Sequence, residues 1–168
     1  MRGAWLLAIG LVGCAGPQTV VPEALRLPTD QTAVLRLRGA GAQVYECKAG
    51  TQDPTQHAWV LKAPDAQLYD HAGMVAGKHY AGPTWESLDG SRIVGEVRAR
   101  ADAPDPNAIP WLLLATRSTG GAGVLSRMKS VQRLDTVGGT APASCDAAQV
   151  GQTLRVGYSA AYVFAVNR

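Results

Sequence analysis

The most regular stretch of the chain lies near its end. Leu154, Val156, Tyr158, Ala160, Tyr162 and Phe164 alternate with Arg155, Gly157, Ser159 and Ala161. Successive side chains of a strand point to opposite faces, so a period of two predicts one long strand with an apolar side. Shorter versions recur upstream. Leu35 and Leu37 alternate with Arg36 and Arg38. Gly39-Ala40-Gly41 then predicts a turn, and Gln43 to Lys48 the second arm of a hairpin. Trp59-Val60-Leu61 and Gln67-Leu68-Tyr69 predict two short strands separated by Ala63-Pro64-Asp65. Farther on, Ile93, Gly95, Val97 and Ala99 oppose Glu96, Arg98 and Arg100, and Trp111 to Ala115 fits a strand buried on both faces. Val124 to Leu134 is mixed: Leu125, Met128 and Val131 keep a helical spacing, whereas Val131 to Leu134 fits a strand. A strand pair or an irregular segment is expected there. No long amphipathic helix pattern occurs, and turn residues punctuate the short strands. The expected fold is all-β, a single antiparallel β-sandwich or barrel over residues 31–168 with long Gly/Pro-rich loops.

Composition sharpens this picture. A chain of 168 residues with 46% hydrophobic residues can bury one real core. Charged residues, at 17%, fall below the roughly 25% of an ordinary soluble domain. The net charge of +3 is scattered, and the alternating pairs Arg36/Arg38 and Arg98/Arg100 belong on wet strand faces. A nucleic-acid reader carries a denser basic stripe with aromatic partners, so no nucleic-acid partner is expected.

The start of the chain has a different character. Arg2 precedes an apolar run, Ala4 to Val12, too short to span a bilayer, which is the pattern of a secretory signal. Leu11-Val12-Gly13-Cys14 resembles the lipobox of bacterial lipoproteins. That resemblance implies a signal peptide over residues 1–13, removed on export, and acylation of Cys14 as the new N-terminus. With Ala15 and not aspartate next, it further implies an outer-membrane anchor facing the periplasm, the alternative being plain secretion. Residues 14–30, with Pro17, Pro22 and Pro28, are expected to be the acylated N-terminus and a tether.

Setting Cys14 aside leaves Cys47 and Cys145, which in an oxidising compartment are expected to form a disulfide. Neither cysteine belongs to a C-x-x-C, and His57, His71 and His79 stand far apart in sequence, so no metal site and no cofactor are expected. Gly39-Ala40-Gly41 leads into a strand pattern where a dinucleotide fingerprint needs a helix. Ser126-Arg127-Met128-Lys129 matches Ser-x-x-Lys without the partner motifs of that enzyme class. The densest chemistry lies between Gly77 and Gly90, where His79, Tyr80, Trp85 and Glu86 crowd around Gly82-Pro83. In an extended backbone His79 and Tyr80 point to opposite faces, so one of them faces the core.

Four separated segments carry a family resemblance. They are Val44-Tyr45-Glu46-Cys47, Gly77 to Glu86, Ile109-Pro110-Trp111-Leu112-Leu113-Leu114, and Thr136-Val137-Gly138-Gly139-Thr140-Ala141-Pro142. Together they resemble an exported bacterial and fungal family known as domain of unknown function 3455, over roughly residues 30 to 166. The resemblance implies a secreted all-β domain and no established activity.

Three functions compete. The first is a lipid-anchored envelope protein acting as a binding module, with residues 77–90 holding a small molecule, glycan or envelope protein through His79, Tyr80, Trp85 and Glu86. The second is a hydrolase-like enzyme with His79 and Glu86, or Asp89, as acid and base; it lacks an activated nucleophile in sequence. The third is an envelope structural or inhibitory protein acting by surface contact. The first is preferred.

Overall fold

A computed structural model describes residues 19–168. The proposed signal peptide and Cys14 lie outside the described residues. Among the described residues eight strands follow one another: β1 (Gln31–Ala49), β2 (His57–Tyr69), β3 (Val75–Tyr80), β4 (Thr84–Ser87), β5 (Arg92–Ala101), β6 (Trp111–Gly120), β7 (Ser130–Gly138) and β8 (Thr153–Asn167). Each pairs antiparallel with the next, and β8 returns to β1 to close a barrel. Of the two all-β architectures expected, the barrel is the one formed. Full closure leaves no sheet edge unpaired, and eight strands enclose an interior just wide enough for packed side chains or one small ligand.

The alternation in β8 explains the core. Tyr158, Ala160, Tyr162 and Phe164 point inward and are buried, beside Leu37, Leu68, Trp85, Ile93, Leu114 and Val131 from other strands. Two strands are longer than their sequence suggests. β1 runs unbroken through Gly39-Ala40-Gly41, where a turn was expected. The reason is packing: a Cβ on Gly39 would sit 2.5 Å from the Tyr162 ring, so a bare backbone lets β1 pass over that aromatic. β2 likewise absorbs Ala63-Pro64-Asp65, because a register shift between Val44 and Tyr45 lets the proline sit in the strand opposite Gln43. The mixed segment divides: Leu125 and Met128 belong to buried turns of the β6–β7 loop, and β7 starts at Ser130.

Residues 21–27 depart from the tether expectation. A 3-10 turn over Glu23–Leu25 presses Leu25, fully buried, against the outside of the barrel. There it joins Trp111, Leu134 and Val163, with Val21 at the margin. Gln132 Nε2 donates to the Leu25 carbonyl at 2.6 Å and fixes the strap in place. An apolar residue every fourth position, Val21 and Leu25, is enough for one turn to dock. The chain is therefore part of the folded body from Val21 onward.

The barrel has two unlike ends. At one, the β6–β7 loop folds over the interior: Leu125 is fully buried and Met128 nearly so. Asp89, in the β4–β5 turn, anchors this plug by accepting from the Val124 N–H at 2.8 Å and from Ser91 N–H and hydroxyl. The other end is ringed by the β1–β2, β3–β4, β5–β6 and β7–β8 loops. There the Cys47–Cys145 disulfide ties the β7–β8 loop to the end of β1, with a Cα separation of 6.1 Å, as the cysteine count predicts.

Candidate functional site at the open end of the barrel

Between these loops the interior opens into a cavity of about 660 Å³. The space is bounded by loops rich in proline. Pro83, Pro110 and Pro142 form part of the rim, and Trp59, Leu61, Val97, Ile109 and Leu112 form an apolar wall. Leu61 and Val97 remain about half exposed, at 52% and 51%, although both belong to the cavity lining. Apolar groups left open to water around a concavity are the usual composition of a small-molecule site.

The floor is polar and aromatic. His79 and Trp85 are cross-strand partners on β3 and β4, stacked with ring centroids 4.5 Å apart and an interplanar angle of 15°. Tyr162 meets both, at 5.0 Å from His79 and 5.6 Å edge-on from Trp85. A Cβ on Gly95 would come within 2.8 Å of the Trp85 ring, so β5 needs a glycine where this cluster leans against it. His79 Nδ1 donates to the Thr84 carbonyl at 2.8 Å, which leaves Nε2 as an acceptor. Burial lowers the His79 pKa to about 3, so the ring is neutral at ordinary pH. Tyr162 and Tyr158 share a hydroxyl–hydroxyl hydrogen bond of 3.0 Å, and burial pushes the Tyr162 phenol well above its ordinary range.

Arg133 was not singled out by its sequence, yet it is central here. On β7, Val131 and Arg133 share the inward face, so the guanidinium stands one inward step above the core, beside Tyr162 of β8 and Leu112 of β6. Its Nε and Nη2 donate to the Pro110 carbonyl at 3.0 and 2.8 Å. Among the described residues no carboxylate lies within ion-pair distance of it. Burial lowers its pKa, and the neighbouring Tyr162, Tyr158 and Tyr45 oppose that shift, but a guanidinium stays charged. The signal that could have found it is the period of two in β7, which puts a cation on the same face as Val131.

The four residues that the sequence brings forward divide across one hairpin. His79 and Trp85 line the cavity. Tyr80 and Glu86 lie on the outer side of the sheet, where the Tyr80 hydroxyl donates to Glu86 Oε2 at 2.7 Å. Glu86 also meets Lys78 at 3.3 Å and Arg92 at 3.8 Å. The Tyr80 hydrogen bond, followed by the lysine, holds the Glu86 carboxyl below its usual range. A His79/Glu86 acid–base pair is therefore ruled out by the pleat: the two groups project to opposite faces and cannot meet one substrate. Asp89 is committed to the plug at the far end, where Ser91 and the Val124 N–H hold its pKa near 2. Residues 77–90 form a strand hairpin and turn, not a mobile binding loop, and only the inner face of that hairpin reaches the cavity. Among the described residues no cluster of three or more potential metal ligands occurs.

Comparison with curated proteins and with solved structures returns no match. The family described as "Protein of unknown function (DUF3455)" matches residues 28–165, the span that the four quoted segments point to. That match starts just before β1 and ends within the last residues of β8, so it takes in the whole barrel: the chain belongs to the DUF3455 family.

Proposed function

We propose that the protein is a binding module of the cell envelope, holding a small molecule with an apolar body in the cavity at the open end of its barrel. The observation that carries this reading is a concavity of about 660 Å³ in the mouth of a barrel whose other end is plugged. That volume lies inside the roughly 300–1,000 Å³ typical of ligand pockets. A disulfide across 98 residues holds the rim, and a fully buried aromatic floor supports it, so the site is built before a ligand arrives. The lipobox-like Leu11-Val12-Gly13-Cys14 supports the envelope part of this reading: an acylated Cys14 would anchor the protein to the outer membrane facing the periplasm, where the disulfide is stable.

The binding reading is tested with a neutral fluorescent probe, 1-aminoanthracene, titrated into the full chain. Its emission should rise on transfer to an apolar site. Leu61→Trp, which fills the mouth of the cavity from β2, should remove that rise without lowering the unfolding temperature by more than a few degrees. No rise with the wild-type chain, or an undiminished one in the variant, would sink the proposal. The anchor is tested separately by mass spectrometry of the native N-terminus: a diacyl or triacyl mass on Cys14 is expected, and Cys14→Ser should release the protein from membranes.

A further inference from the structure

The cavity has an electrical bias that its volume does not reveal. Among the described residues three cations line it, Lys62, Arg100 and Arg133, and no aspartate or glutamate does. Lys62 is answered from outside the cavity by Glu46 at 3.1 Å. Among the described residues no carboxylate answers Arg133; a carbonyl, phenol groups and the Arg100 guanidinium stand near it. Two of its five N–H donors go to the Pro110 carbonyl and a third reaches the Tyr162 hydroxyl, which leaves two. The rest of the wall adds to the surplus of donors. Gln43 Nε2 and Trp85 Nε1 are buried and have no acceptor among the described residues, and Gln43 and Trp85 are each only 1% exposed. A half-buried cation left without a counter-charge carries a desolvation cost, and so do buried donors without acceptors. A chain that needed Arg133 only to hold the β5–β6 loop could do so with a neutral donor.

We infer that the ligand is an organic anion, a carboxylate head on an apolar body, with its head on Arg133 and its body along Leu112, Trp59, Leu61 and Val97 toward the mouth. This rests on the cavity-binding reading and names the ligand class for the same site. The order of groups sets the orientation. Arg133 stands one inward step from Val131 at the floor, while the half-exposed Leu61 and Val97 are at the rim. The planar fork of a guanidinium matches two carboxylate oxygens. A single such group, with Arg100 exposed at the rim, suits one negative charge better than two.

The test uses matched pairs that differ only in the head group: decanoate with 1-decanol, and 2-naphthoate with 2-naphthalenemethanol. Each is titrated into the full chain at pH 7.5 by calorimetry, with tryptophan emission as a second readout. In at least one pair the acid should bind about ten- to a hundredfold tighter than the alcohol, the size of one charge-assisted hydrogen bond. In Arg133→Met that ratio should fall to about one, and in Arg133→Lys a part of it should survive. Thermal unfolding of each variant identifies any that fail to fold, and the wild-type ratio stands without them. Equal binding of acid and alcohol in both pairs would overturn the anion inference and leave the binding module intact. An acid preference that persists undiminished in a folded Arg133→Met would overturn the assignment to Arg133. No binding by any of the four, with 1-aminoanthracene also silent, would remove the cavity reading itself.

Discussion

At the plugged end of the barrel Leu125 is fully buried; at the open end Leu61 is 52% exposed, although it lines a concavity. Both are leucines on the same closed sheet or its loops, and their surroundings divide them. The β6–β7 loop is drawn inward by Asp89 and Ser91, whose side chains accept from the Val124 and Leu125 backbone N–H groups. The β7–β8 loop, longer and rich in glycine and proline, is instead held at the rim by the disulfide. One end is stabilised by burial. The other is held open by a covalent tie, and apolar surface left there is available to a ligand.

Removing that tie should have the largest effect. Cys47→Ala with Cys145→Ala releases a loop of nearly a hundred residues, at a cost of about 4 kcal/mol in the chain-entropy model. Urea unfolding of the variant against the oxidised parent measures it. A change below about 1 kcal/mol would mean that packing, not the disulfide, fixes the rim. Next comes Leu125→Ala at the plug, with an expected loss of about 3 kcal/mol from the cavity it leaves. Binding of 1-aminoanthracene at the opposite end should survive below the unfolding transition. If probe binding disappears in a still-folded variant, the two ends are coupled and the contrast between them fails.

A third, smaller effect depends on pH and belongs to the open end. His79 has its pKa lowered to about 3 from 6.5, chiefly by burial. The unfolded chain therefore takes up a proton below about pH 6.5 that the folded chain refuses until about pH 3. Stability from this group is fully present above pH 6.5 and falls as the pH drops, by roughly 1.4 kcal/mol per unit, or about 2 kcal/mol at pH 5. The plug responds in a different window: Asp89, held near 2, loses its contribution only as the pH falls from its ordinary 3.8 toward that value. Chemical denaturation between pH 7.5 and 5 should show the first slope in the parent. His79→Gln, whose amide can still donate to Thr84, should flatten it. An unchanged slope in that variant would move the titration to another group.

The sequence made the barrel's strands legible where alternation was strict, as in β8, and it made the pairing of the two cysteines legible too. In β5 the alternation held only as far as Val97: a register shift between Val97 and Ala99 turns Ala99 outward against the strap and brings Arg100, expected on the wet face, to the cavity. The sequence misled at Gly39-Ala40-Gly41, because glycine serves equally for a turn and for a backbone crossing a ring, and only the position of Tyr162 decides. Pro64 misled for a related reason: a register shift let a strand keep a residue that ordinarily ends one. In the site, local crowding pointed to His79 and Trp85, but equally to Tyr80 and Glu86, which the pleat turns outward. Arg133 lay in a stretch where a helical spacing competed with the period of two, so the face it shares with Val131 stands out only once β7 is a strand. Its missing counter-charge is a property of three-dimensional neighbours, which no local pattern carries.

The smallest effect returns to the leucine pair. Leu61→Ala at the mouth should change folding stability by no more than about 0.5 kcal/mol, because half of the side chain already faces water. The same truncation at Leu125 removes about six times as much by the estimate above. If Leu61 were retained only for packing, its loss should scale with the little area it buries and affect nothing else. If it is part of a ligand wall, affinity for 1-aminoanthracene should fall several-fold while the urea midpoint barely moves. A midpoint shift comparable to that of Leu125→Ala, with unchanged probe affinity, would show that the open end is packed like the closed one and that its exposed apolar groups have no ligand to meet.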